Sequence, residues 1–327
     1  MGRPVRWFMR GGLAVLLAVV LVFLLVPREP VVTAVTFDGA SIGKDIDAYL
    51  VGVESGFDDI TPGVEKRVIW ANGAGVRTDR VIVYLHGFSA TSEEIRPVPD
   101  LVAADLGANL VYTRLAGHGR TSQAMAEPRV ADWMNDVAEA LEVARRIGDR
   151  IIIIATSTGG TLAAVAAQDP QLSQGVEALV LISPNFGLAA PASILLSLPG
   201  VRWWAALIAG AERNLTPLNA DHAKYWTTSY PTVALVPMAA LVRYARGLDY
   251  SGVTTPALFL FSDGDRVVNE KQTRRLAARW GGPVTLNPID VPSGNDPFSH
   301  VIAGDILSPG LTDPVQRIAS DWIAKLP

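Results

Sequence analysis

Cysteine is absent from the 327 residues, which excludes disulfides and thiolate metal sites. Histidine is scarce, four in all, so imidazole chemistry has few places to sit. The formal net charge is −4, and without a basic excess nothing marks a nucleic-acid surface. No internal repeat appears, and no low-complexity segment apart from one apolar run near the N-terminus. What is present is about half apolar and long enough for one large α/β domain with a well-buried core.

The apolar run falls within residues 1–30. Arg3, Arg6 and Arg10 precede it, it extends from Gly11 to Val26, and Pro27-Arg28-Glu29 closes it. At 1.5 Å per residue it spans roughly 24 Å, a little short of a roughly 30 Å hydrocarbon core. Trp7, Phe8 and Met9 can lengthen it while Arg10 snorkels. The expectation is a single transmembrane helix in the inner or plasma membrane, the membrane being a partner through this segment alone. The alternative is a secretory signal cleaved near Val32-Thr33-Ala34, which gives a secreted protein. The arginines place the remaining chain on the extracytoplasmic side.

Residues 31–327 read as alternating strands and helices. Val31–Phe37 alternates weakly as a first strand, and Ile42–Val53 has helical spacing. Lys66–Ala71 and Arg80–Leu85, separated by the turn residues Asn72-Gly73-Ala74-Gly75, read as a hairpin. Then follow a helix over Glu94–Leu106, a strand over Asn109–Thr113, a helix over Asp132–Ile147 and the strand Ile151-Ile152-Ile153-Ile154. A further strand covers Val176–Ile182. About sixty residues of apolar and aromatic sequence intervene before Pro256–Phe261, far more than a βα unit needs. This insertion, about 187–250, reads as a helical cap over an active site. Helix Asn269–Trp280, strand Val284–Ile289 and a last helix from Asp313 complete a doubly wound, mostly parallel sheet covered on both faces.

The isoleucine strand leads into Ala155-Thr156-Ser157-Thr158-Gly159-Gly160 and then a good helix former, Thr161–Ala167. Strand, abrupt turn and helix around a serine is the shape of a nucleophile elbow, here A-x-S-x-G rather than G-x-S-x-G. Ser157 is therefore the candidate nucleophile. The N–H of Thr158 at the helix start is one oxyanion donor. The N–H of Phe88, in the glycine-containing loop Leu85-His86-Gly87-Phe88 after a strand, is the other. Of the histidines, His86 reads as a brace for that loop, His118 in Gly117-His118-Gly119 as loop-shaping, and His222 falls in the insertion. His300, in the turn-rich loop after the last strand, is the candidate base. The orienting acid belongs between serine and base in chain order. The loop after Pro256–Phe261 offers Asp263 and Asp265. Asp265 is favoured because it precedes the apolar pair Val267-Val268, with Asp263 left open.

These residues resemble a known family. From about Val81 onward the chain is similar to the α/β-hydrolase superfamily, and most to its carboxylesterase, monoacylglycerol lipase and serine aminopeptidase group. The resemblance is carried by Leu85-His86-Gly87-Phe88, by Gly117-His118-Gly119 with Asp132-Trp133 and Asp136-Val137, and by Ser262-Asp263-Gly264-Asp265-Arg266-Val267-Val268. It implies that Asp265 is the acid. Ala155 is the departure within the motifs.

The expectation is thus a serine hydrolase that cleaves carboxylic esters, apolar acyl or glyceryl, through an acyl-enzyme, without cofactor or metal. An acyltransferase or an aminopeptidase of the same fold is the alternative, though the insertion offers only Glu212 and Asp221 to hold a free amine. A non-catalytic hydrolase-like binding protein is the rival from another class. Substrate-binding residues and oligomeric state are not specified by the sequence.

Overall fold

The computed structural model describes residues 3–326. It opens on helix α1 (Arg3–Leu25) and an extended stretch that ends in α2 (Ile46–Glu54). Next come β1 (Arg67–Ile69), β2 (Thr78–Leu85), α3 (Val98–Asp105), β3 (Asn109–Tyr112) and α4 (Val130–Ile147). Then follow β4 (Gly148–Thr156), α5 (Thr158–Ala166) and β5 (Val176–Ile182). The long connection after β5 holds α6 (Val201–Ala209), β6 (Glu212–Asn214), α7 (Ala220–Tyr225), β7 (Ser229–Pro231) and α8 (Leu235–Gly247). The chain ends through β8 (Ala257–Phe261), α9 (Glu270–Ala277), β9 (Val284–Pro288) and α10 (Thr312–Ile323).

Seven strands form one sheet in the order β1-β3-β2-β4-β5-β8-β9. Only β1 runs antiparallel. β4 lies at the centre, with Ile152 opposite Ile82 on one side and Ala178 on the other. Successive side chains of a strand point to opposite faces, so the isoleucine run feeds two cores. Ile151 and Ile153 join the core beneath α4, α5 and α8. Ile152 and Ile154 join the core beneath α3 and α10. All four are buried, which is why the run shows no polar alternation.

Several expectations change. Val31–Phe37 is not a strand; its Thr36 and Phe37 N–H groups donate to Asn135 Oδ1 of α4 at 2.8 and 2.9 Å, so a side chain meets its backbone needs. β1 and β2 are not a hairpin. Both edges of β2 are taken by β3 and β4, leaving β1 the outer edge of β3. The helix expected from Glu94 begins at Val98 instead. Arg96 precedes Pro97, and the residue before a proline disfavours helical geometry, so Glu94 stays in a turn.

The largest correction concerns the N-terminus. Among the described residues no helix is long and apolar enough to cross a membrane. Helix α1 takes in Arg3, Arg6 and Arg10, and from Gly11 to Leu25 it extends only about 22 Å at 1.5 Å per residue, against a core of about 30 Å. This overturns the transmembrane anchor, the membrane as a partner through it, and the location inferred from it. The segment after α1 is instead tied to the folded body. Glu29 is buried and accepts from Arg129 at 2.9 Å and from Arg202 at 2.7 and 2.8 Å, while Gly200 N–H donates to Pro27 O.

Because β4 is packed on both faces, shortening one isoleucine leaves a void that neither layer can fill. Ile152→Ala is expected to cost about 2–5 kcal/mol, measured as a lower urea midpoint at unchanged slope. A loss below about 1 kcal/mol would contradict this packing.

Candidate active site

The turn from β4 to α5 is set by a shortage of space. A Cβ on Gly159 would lie 2.2 Å from Leu85 O and 2.7 Å from His86 O, and one on Gly160 would lie 2.8 Å from Pro184 Cβ. The first turn of α5 therefore presses directly on the ends of β2 and β5. Ser157 bends to meet that constraint, with φ +50° and ψ −115°, a backbone state rare for any residue with a side chain. The end of β5 secures it: Ser157 N–H donates to Ile182 O at 3.0 Å, and Asn185 N–H donates to Ser157 O at 2.9 Å.

Three side chains from three strand ends meet there. His300 Nδ1–H donates to Asp265 Oδ2 at 2.8 Å. That fixes Nε2 as the acceptor, and the Ser157 hydroxyl donates to it across 3.0 Å. Asp265 Oδ1 accepts from the N–H groups of Val267 and Val268 at 2.8 and 2.9 Å, so both carboxylate oxygens are engaged. Asp263, two residues earlier, points outward and pairs with Arg274 at 2.6 Å. Asp296 shapes the histidine loop by accepting from the N–H groups of Phe298, His300 and Val301. Burial alone lowers the basicity of His300, but the charge and hydrogen bond of Asp265, aided by Glu94 and Asp296, outweigh it and hold its pKa above the ordinary value.

The other histidines do different work. His86 Nδ1–H donates to Gly87 O, and its Nε2 accepts from Leu115 N–H. Burial pushes it well below its ordinary pKa, as suits a neutral brace. His118 donates to Ala116 O and is pushed by burial down to about 4. His222 of α7 accepts from Leu218 N–H; burial holds it below its ordinary value, against the opposing charge of Asp296.

A cavity of about 330 Å³ opens above Ser157 and also reaches Phe88, Thr158 and His300. Thr158 is the first residue of α5, where an N–H has no acceptor in its own helix. Neither its amide nor that of Phe88 is used in a turn or loop hydrogen bond among the described residues. The connection after β5 supplies Leu215, Leu218, Trp226, Tyr230, Leu235 and Met238 to the cavity. Thr227 N–H donates to Ser89 O at 2.7 Å, joining that connection to the loop after β2. Among the described residues no cluster of histidine and acidic side chains is arranged to hold a metal ion.

Two residues of the site have little sequence signature. Asp296 is marked only by the turn-forming Asp-Pro pair it begins. Glu94 is buried and lines the cavity, yet in the sequence it is one of two adjacent glutamates before a helix.

The sheet order and the strand-to-helix serine turn define an α/β-hydrolase, and solved structures agree in fold. One similar structure is reported with "LipS and LipT", metagenome-derived lipolytic enzymes, at TM-score 0.66 and 21% identity over 81% of this chain and 99% of that one. A soluble variant of monoglyceride lipase from Saccharomyces cerevisiae, bound to a substrate analogue, gives TM-score 0.60 at 14% identity over 80% and 90%. α/β-Hydrolase domain-containing protein 10 from mouse gives 0.54 at 19% over 80% and 94%. No curated protein matches the chain in sequence. The model of the serine aminopeptidase S33 family matches residues 77–287, more than half of the chain, and the protein belongs to that family of hydrolases.

With the Asp265 charge removed, burial has less opposing it at His300. Asp265→Asn is therefore expected to lower the imidazole pKa relative to the wild type, which Asp265 holds above the ordinary histidine value. Following the His300 ring proton by NMR against pH checks this; an unchanged midpoint would contradict the assigned cause.

Proposed function

We propose that the protein is a serine esterase that cleaves carboxylic esters with an apolar acyl group through an acyl-enzyme. The observation that carries this reading is the unbroken relay from Asp265 through His300 to the Ser157 hydroxyl. In this mechanism His300 Nε2 takes the Ser157 proton as Oγ attacks the ester carbonyl carbon. Negative charge gathers on the carbonyl oxygen, where the N–H groups of Phe88 and Thr158 receive it. His300 then returns the proton to the departing alcohol. Water, activated by the same imidazole, attacks the acyl-serine and releases the acid. Asp265 keeps the imidazole tautomer and balances the positive charge it gains at each attack.

The predominance of apolar side chains from the connection after β5 supports an apolar acyl group. That connection, residues 187–250, serves as the cap of a hydrolase domain spanning 31–327. Aminopeptidase activity is the second reading, favoured by the family's name. It is disfavoured by the cavity: Glu212 and Asp221 do not line it, and of the two carboxyls that do, Asp296 is occupied by three backbone amides and Glu94 is engaged by Gly87 N–H and the Tyr84 hydroxyl.

A fluorophosphonate probe is expected to label the wild type and not Ser157→Ala. Labelling that persists in Ser157→Ala, or none in the wild type, would sink the proposal. Asp265→Asn is expected to lower kcat by about 10⁴-fold. Among p-nitrophenyl esters, kcat/KM is expected to rise about fourfold per added methylene until the cavity fills, from about 0.8 kcal/mol per buried CH₂. A preference for acetate over longer chains, or faster turnover of aminoacyl p-nitroanilides than of any ester, would contradict the apolar-ester assignment.

A further inference from the structure

The relay does not use every ionisable side chain of the cavity, and Glu94 is among those it leaves aside. Glu94, in the turn between β2 and α3, is 3% exposed and lines the cavity beside Ser157. Its Oε2 accepts from Gly87 N–H at 2.6 Å and from the Tyr84 hydroxyl at 3.1 Å. The Tyr84 oxygen lies 3.1 Å from Thr156 Oγ1. A single carboxyl therefore links the residue before Phe88, an oxyanion donor, to the residue before Ser157, the nucleophile. Its other oxygen borders the same space as Ser157: a Cβ placed on Gly87 would lie 2.6 Å from Glu94 Oε1 and 3.1 Å from Ser157 Cβ.

This carboxyl has no cation of its own. Arg67 and Arg96 pair with the adjacent Glu93, and among the described residues no ion pair involves Glu94. The ionisable groups around it are Tyr84 from β2, His300 and Asp296 from the loop after β9, and His222 and Arg213 across the cavity. His300 becomes positive when it takes the serine proton, or when the pH falls below its own titration. A carboxylate at this place would oppose the oxyanion that Phe88 and Thr158 are aimed at. A neutral carboxylic acid keeps both hydrogen bonds at Oε2 and directs its own O–H toward the cavity.

We propose that Glu94 is a positioning residue that holds the oxyanion loop through Gly87 N–H, and that it supports turnover only as the neutral acid, so that its ionisation sets an alkaline limit on activity. The inference rests on the serine-esterase reading. Burial pushes the Glu94 pKa up to about 7, against the opposing effects of the Gly87 hydrogen bond, His300 and Tyr84. His300 must be neutral to act as base, so kcat/KM rises as pH climbs through its titration. Glu94 must be neutral as well, so kcat/KM falls as pH climbs through its own, the two limbs belonging to the coupled pair.

The test is the profile of kcat/KM against pH, from roughly 5.5 to 9.5, for hydrolysis of a p-nitrophenyl ester by the full chain. The wild type is expected to give a bell that falls about tenfold on the alkaline side. Glu94→Gln, which imitates the neutral acid, keeps the rise and loses the fall. Glu94→Ala releases the loop, and kcat drops about a hundredfold at every pH with KM little changed. Tyr84→Phe removes a hydroxyl that favours the ionised carboxyl, so the fall moves to higher pH. A wild-type profile with no alkaline fall, a fall that persists in Glu94→Gln, or a fall unmoved in Tyr84→Phe would overturn the proposal. Fluorophosphonate labelling separates the two levels. An unlabelled wild type defeats the esterase reading itself, whereas a labelled wild type whose fall survives Glu94→Gln defeats only the role of Glu94.

Discussion

No side chain fits between the first turn of α5 and the end of β2, and the site depends on that contact. Gly159 lets the helix start against the carbonyls of Leu85 and His86. The helix N-terminus, the strained serine before it and the loop after β2 are thereby brought to one point. The strain at Ser157 is sustained because its surroundings leave it no freedom. β4 is buried on both faces, β5 holds the serine backbone from each side, and Pro184 closes the space beside Gly160. Among the described residues the other non-glycine residues with positive φ are also serines, Ser89, Ser183 and Ser299. They lie in the loops after β2, β5 and β9, and positive φ at such residues is sustained where packing leaves no alternative.

Burial acts on every ionisable group at the site, and the outcome for each is decided by its partner. His300 and Glu94 are both withdrawn from water, which disfavours charge on either. His300 faces a carboxylate whose remaining oxygen is saturated by two amides, so its charged form is favoured. Glu94 receives hydrogen bonds from an amide and a phenol but has no ion pair among the described residues, so burial prevails and its pKa rises to about 7. His86 and His118 are equally buried and face backbone groups rather than acids, and both remain neutral braces. Four similar environments thus yield different protonation behaviour through differences in a few neighbours.

Much of the fold was legible because its signals are local. The isoleucine run, the helix faces of α4 and α10 and the glycines after Ser157 each state their structure within a few residues. Non-local choices were not legible. Nothing in Arg67–Ile69 tells that β2 is already flanked on both edges, so the hairpin reading fails. The run after Arg10 resembles a membrane span in composition, but its apolar length falls short and its C-terminal end is tied to α4 and α6 through Glu29. Glu94 reads in the sequence as the start of a helix, whereas the helix begins after Pro97 and Glu94 lies in a turn beside the cavity.

The sequence by itself determined the alternation of strands and helices, the buried central strand, and a serine at a turn where only small neighbours are tolerated. These follow from periodicity and side-chain size, which act over a few residues. The tertiary structure decided which of two nearby aspartates faces His300, which strand β1 joins, and how Glu94 comes to lie beside Ser157. Those outcomes depend on which distant segments share a buried space, because desolvation and charge pairing are properties of the assembled interior rather than of the chain.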